Sequence, residues 1–235
     1  MLKSVHLTLL VGPVVPVPVP QIVVDALTAV KVTSAAGQVG GFELSFTLTN
    51  HSPLQTIFLL GAAQAPLLRV ILVATVNGLP DVLADGVITR TQVGAGGAPG
   101  VTQLTVIGED LTRVMDLVDL SGFPYPAMPP EVRVLTILAR YAMFGMIPLV
   151  IPSIALDVPI PTDRIPKQQG TDLAYVRSLA EEVGYVFYIA PGPVPGTNTA
   201  YWGPEIKVGI PQPALNHDLD TDRNVESLNL SYSSA

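Results

Sequence analysis

The stretch Gln168-Gln169-Gly170-Thr171-Asp172-Leu173-Ala174-Tyr175-Val176-Arg177-Ser178-Leu179-Ala180-Glu181-Glu182-Val183-Gly184-Tyr185 carries both ends of a helix in its own residues. Thr171 can cap the first turn with its hydroxyl, and Asp172 stands where the helix dipole favours a negative charge. Leu173, Val176, Leu179, Ala180 and Val183 recur at three- and four-residue spacing and form one apolar stripe. Gly184 supplies the left-handed turn that ends it. Glu181 and Glu182 read as a solvent-facing pair on an ordinary helix. Immediately after, Tyr185 to Ala190 alternates aromatic and aliphatic residues, so the chain passes from helix to strand.

Working outward toward the N-terminus, two more helical segments are expected. One opens after Pro129-Pro130, buries Val134, Ile137, Leu138 and Tyr141, and stops near Gly145. The other follows Gly108, with an acidic first turn at Glu109-Asp110 and apolar residues at Leu111, Val114, Met115 and Val118. Upstream of Gly108 the period changes to two. Leu2 to Val11, Leu27 to Thr33 and the strict alternation of Phe42, Leu44, Phe46 and Leu48 all read as strands. Leu67 to Val76, Val82 to Val93 and Val101 to Ile107 form a meander. Its first turn is Asn77-Gly78, a pair that tolerates positive φ, and its second is the glycine loop from Gly94 to Gly100. Downstream, Pro191 to Gly196 is a loop, and Glu205 to Ile210 and Val225 to Tyr232 are expected strands. The order is β, then helices, then β again, without an internal repeat.

Composition supports this outline. Of 235 residues, 49% are apolar and 13% charged, about half the roughly 25% charged fraction of an ordinary domain. With 20 glycines and 23 prolines, turns are frequent and long helices few. There is no cysteine, which removes disulfides, thiolate metal sites and a cysteine nucleophile. Twelve basic against nineteen acidic residues give a net charge of −7 with no basic cluster, a balance that repels a phosphate backbone. Two uncharged stretches, residues 4–24 and 141–156, are too proline-broken for membrane helices: Pro13, Pro16, Pro18 and Pro20 interrupt the first, Pro148 and Pro152 the second. The second is expected to be a buried turn between a helix and a strand. The chain therefore reads as soluble, with an apolar surface reserved for partners.

Motifs of chemistry are weak. Asp218-Leu219-Asp220-Thr221-Asp222 has the alternating carboxylates of a calcium loop, but Arg223 replaces the required glycine and Asn229 the closing glutamate, so a solvated acidic turn is expected. The Gly94 to Gly100 loop joins two strands and opens no helix, which makes it a hairpin tip rather than a phosphate cradle. His6, His51 and His217 lack metal-ligand spacing, and no Gly-x-Ser-x-Gly elbow exists. Trp202, the single tryptophan, is expected to pack beneath a loop. No catalytic, cofactor or metal residues are assigned.

One resemblance goes further. The Gln168 to Tyr185 stretch resembles the hub proteins of contractile tails, a family that includes phage late-control protein D, phage baseplate hubs and the hub half of type VI secretion spike proteins. The matching positions are Gln168, Thr171, Asp172, Leu173, Leu179, Ala180, Glu182, Gly184 and Tyr185. Looser matches come from Asp85-Gly86, before an apolar pair on a strand, and from Gly108 and Asp110, at the entry to the first helix. The resemblance implies an α+β, mainly β fold: two barrel-like β domains per chain with intervening helices. Residues 1–107 would form the first, 108–184 the helical and connecting segment, and 185–235 strands of the second, which can share strands with the first. It also implies a structural, non-enzymatic role as a homotrimer whose six barrels form a pseudo-six-fold ring between a hexameric inner tube and a trimeric spike. The expected partners are the chain itself, the tube protein, a separate spike protein and other baseplate proteins. Assembly is expected in the bacterial cytoplasm, with residence in a phage tail or injection particle. A tail-associated cell-wall-degrading enzyme or glycan-binding module is the alternative. The Pro13 to Pro20 stretch has no counterpart in the resemblance and is expected to be an extended arm or edge strand on a neighbour.

Overall fold

The computed structural model describes residues 5–34, 39–48, 58, 67–95, 101–153, 159–160, 162 and 164–206. The chain divides into two units, 1–205 and 206–235, and every helix and strand named below belongs to the first. His51, His217, the acidic run 218–222, the tip residues 96–100 and the expected strands over 207–210 and 225–232 lie outside the described residues.

Seven antiparallel strands come from residues 5–110. They are β1 (Val5–Gly12), β2 (Val17–Pro18), β3 (Leu27–Thr33), β4 (Gly41–Leu48), β5 (Arg69–Val76), β6 (Leu79–Ala95) and β7 (Thr102–Asp110). Their order is β2-β1-β5-β6-β7-β4-β3. The β5–β6 turn is the one read from Asn77-Gly78, with φ of 54° and 81°. β4 keeps its alternation, sending Phe42, Leu44, Phe46 and Leu48 into a core with Leu9, Val70, Leu72, Leu104 and Val106. The apolar run of β5 is buried on both faces, since Ile71 and Val73 pack with Val82 on the side opposite Val70 and Leu72.

The proline-rich segment folds back on its own sheet: Leu10 pairs with Pro18 and Val11 with Val17, placing β2 at an edge, where proline's missing N–H is tolerated. The short helix α1 (Gln21–Asp25) then leads into β3. The expectation of an arm or edge strand on a neighbour is thus corrected: Val17–Pro18 forms an edge strand of the chain's own sheet.

Beyond β7 the chain forms α2 (Thr112–Met115), α3 (Pro130–Ala139), a 3-10 turn (Ala142–Phe144), β8 (Met146–Val150), α4 (Asp172–Glu182), β9 (Val186–Pro191) and β10 (Asn198–Gly203). β8, β10 and β9 make a second sheet, in that order, with β8 parallel to β10. Its inner residues Met146, Phe187, Ile189, Ala200 and Trp202 share one core with Val134, Ile137 and Leu138 of α3 and Leu173, Val176, Leu179 and Ala180 of α4.

Three expectations need correction. Glu109-Asp110 ends β7 instead of opening a helix, because Asp110 is still paired across the sheet with Gly86; α2 is a single turn and Val118 is exposed. The region read as a buried turn contains β8, an edge strand whose Ile147 and Leu149 face outward. β10 follows the 191–196 loop, where the sequence reading had no strand, and Trp202 lies fully buried on it beside Tyr185. None of the described helices is long and apolar enough to cross a membrane.

α4 begins as read. Thr171 Oγ1 accepts from the Ala174 N–H at 3.2 Å and donates to Asp116 at 2.7 Å. Thr171→Ala removes both bonds and is expected to cost about 1 kcal/mol, measurable as a lower urea midpoint at unchanged slope.

Candidate functional site

The described residues hold no group of three or more histidines or carboxylates placed for a metal ion. The polar residues that the fold does bring together are buried, and they join elements.

The first junction is built on Asp85. β6 carries it into the interior beside Arg69 of β5; the resemblance singles out Asp85, while Arg69 stands in the sequence as an isolated charge in an apolar strand. Arg69 donates from Nε to Asp85 Oδ1 at 2.7 Å and from Nη2 to Oδ2 at 2.6 Å, a bidentate pair shielded from water. The remaining donors reach Val14 O at 3.1 Å, in the β1–β2 connection, and Gly196 O at 3.3 Å, in the turn before β10. Asn198 of β10 donates to Asp85 Oδ2 at 2.8 Å. One carboxylate therefore ties the large sheet to the small one.

Gly86 and Gly108 are explained by close packing. A Cβ on Gly86 would overlap the Glu109 carbonyl, and one on Gly108 would overlap the Phe42 ring. Asp110 closes the same corner, accepting from the Gly40 N–H with one oxygen and from Thr112 N and Oγ1 with the other.

The second junction is built on Asp172. It is 1% exposed at the first turn of α4, and the helix dipole alone would not require that burial. Arg140 donates to its oxygens at 3.0 and 3.2 Å, the Tyr141 hydroxyl donates at 2.7 Å and the Gln168 amide at 2.7 Å. Gln168 Oε1 in turn accepts from the Tyr125 hydroxyl at 2.7 Å. Arg140 also stacks over Phe123, and Tyr125 stacks on Tyr175. Burial raises the pKa of both Tyr125 and Tyr141, and the bond to Asp172 raises that of Tyr141 further. Burial disfavours the Arg140 charge, but Asp172 and Tyr125 together outweigh that and raise its pKa. A buried network of this kind, with its tyrosines and arginine bonded to one carboxylate and one amide, joins the segment after α3 to the start of α4.

Of the matched motif residues, Leu173, Leu179 and Ala180 fill the core, while Gly184 turns the chain at φ 70°. Tyr185 packs edge-on against Trp202 and donates to Pro152 O at 3.1 Å, and Glu182 is exposed. Arg69, Asn198, Tyr125, Arg140 and Tyr141 were missed by sequence reading; a lone arginine opening the apolar run of β5 was the one available signal. Arg177, on the same helix, buries Nε and Nη2 with no hydrogen-bond partner among the described residues. Arg177→Met keeps the aliphatic packing and removes the unsatisfied donors. The expected result is a gain of about 1–2 kcal/mol in chemical denaturation; a loss would mean that the guanidinium is satisfied in solution.

No protein-family model matches the sequence, and no curated protein matches it. Solved structures do. A chain of a PdpA–VgrG complex aligns over 87% of this chain at 11% identity and a TM-score of 0.55. A chain of the half-lidded Francisella PdpA–VgrG complex aligns over 88% at 11% identity and a TM-score of 0.53. A tail protein from Neisseria meningitidis MC58 aligns over 84% at 13% identity and a TM-score of 0.48. The matches span 36%, 32% and 50% of those chains, so this chain corresponds to half or less of each. Its structural neighbours are thus tail proteins and chains of VgrG-containing complexes, and it is similar in fold to the latter.

Proposed function

We propose that this chain is a structural component of a phage tail or a phage-derived contractile injection system, acting as its hub. The observation that carries the reading is the fold likeness to chains of the PdpA–VgrG complexes over more than four fifths of this sequence. Two features support it. The motif residues serve as joints and core: Asp85 and Asp172 are consumed in buried pairing, which suits a rigid building block. The surface also exposes apolar side chains at Met143, Ile147 and Leu149, around and along the open edge strand β8, as permanent interfaces require.

In the full form of the proposal, residues 1–107 belong to one barrel-like domain and 185–235 add strands to a second. Three chains close into a pseudo-six-fold ring, with an inner tube on one face and a spike from a separate chain on the other. The chain works by shape and carries out no catalysis. Negative-stain images of the purified chain test the ring: averages with six similar lobes are expected, and isolated small particles at every concentration would overturn the hub. A suspension of purified cell walls is expected to stay turbid in its presence; clearing would favour a tail-associated hydrolase.

A further inference from the structure

A cavity of about 340 Å³ lies between α3, the segment preceding α4, and α4 itself, within the ~300–1,000 Å³ range of small-ligand sites. Among the described residues its wall carries two cations available to a ligand, Arg133 and Lys167, against one acid, Glu182; Arg164 also lines it and has a partner of its own. That is an excess of positive charge on a chain whose net charge is −7.

The deepest of these cations is incompletely used. Arg133 is 5% exposed and donates from Nε to Met128 O at 2.8 Å and from Nη1 to the Tyr175 hydroxyl at 3.0 Å, leaving Nη2 without a hydrogen-bond partner among the described residues. Tyr175 accepts that bond, so its own O–H remains available to donate into the cavity it lines. Lys167, at the exposed mouth, forms no ion pair among the described residues. A guanidinium held in place by two bonds, with a further donor to spare and a phenol beside it, matches an oxygen anion in geometry and charge. A concave wall with an excess of positive charge also concentrates such an anion before contact.

We propose that this cavity is an oxyanion site, taking a carboxylate or phosphate group between Arg133, Tyr175 and Lys167. The inference is independent of the tail reading, because it rests on the cavity and its donors. The group can come from an acidic side chain of a partner protein or from a free anion, and the two share the chemistry that the cavity recognises.

The test is an amide NMR titration of the full chain at constant ionic strength. The probes are inorganic phosphate and, separately, the blocked tripeptide acetyl-Glu-Glu-Glu-amide, with sodium chloride as the reference. Saturable shifts at Lys167, Gln169 and Tyr175 with a Kd of about 1 mM or tighter are expected for at least one probe. Lys167→Glu, at an exposed position, is expected to weaken binding by about tenfold or more at an unchanged melting temperature. Glu182→Gln, which removes the opposing acid, is expected to tighten it about threefold or more. Tighter binding of the tripeptide assigns the site to partner carboxylates, and tighter binding of phosphate assigns it to the free ion. Shifts that track chloride without saturating, or binding indifferent to both substitutions, overturn the proposal.

Discussion

Asp85→Leu lowers the stability of the chain by about 3–5 kcal/mol, because it leaves a buried guanidinium without its counter-charge. Arg69 would retain only the carbonyls of Val14 and Gly196, at 3.1 and 3.3 Å, and Asn198 would lose the carboxylate that accepts from its amide. The double substitution Arg69→Met/Asp85→Leu removes both charges and recovers most of the loss, since matched apolar side chains of similar size fill a buried pair's space at little cost. Urea denaturation of the two single variants and the double variant measures this directly. Hydrogen exchange adds location: in Asp85→Leu, amides of β10 lose protection before those of β5, because Asp85 is the tie between the sheets. A single variant within about 1 kcal/mol of the native chain would show that the pair is not the joint described.

Gly86→Ala is the second large effect, at about 3 kcal/mol or more, near the upper end for overpacked interiors. The added methyl group meets the Glu109 carbonyl and the Asp110 Cα, both backbone atoms in the paired strand β7, so no side-chain rotation relieves it. Relief requires β6 and β7 to separate where Gly86 pairs with Asp110, and Asp110 also anchors Gly40 and Thr112. Gly94→Ala is the internal control: the same strand, the same substitution, and nothing within 4 Å of the new Cβ. It is expected to stay within about 0.5 kcal/mol of the native chain. Equal effects at the two glycines, read from thermal melts, would contradict the close-packing account of the Asp85-Gly86 motif.

The parts of the fold legible in the sequence are those specified by local chemistry. The Thr171 cap, the Gly184 stop, the Asn77-Gly78 turn and the alternation of β4 each depend on neighbours a few residues away, and each stands where it was read. What escaped was set by distant partners. β8 is apolar on every residue, so it shows no period of two, and it becomes a strand by pairing with β10, some fifty residues later. Glu109-Asp110 has the composition of a helix start, but pairing with β6 holds it in the sheet.

The candidate site divides along the same line. Asp172 is recognisable as a helix-start residue, yet its burial beneath Arg140, Tyr141 and Gln168 depends on α3 and α4 packing together. The sequence resemblance picked out Asp85, Gly86, Gly108 and Asp110 by pattern, and the structure supplies their physical reasons: an ion pair, two close approaches and a corner. The oxyanion cavity draws on Arg133 and on residues 164–182, a combination without a local signature.

The most direct test of the hub account is the native mass of the purified full chain across a wide concentration range. Three copies of the 24.8 kDa chain, about 74 kDa with closed cyclic symmetry, are expected. A chain that remains a monomer at the highest concentration attainable would contradict it.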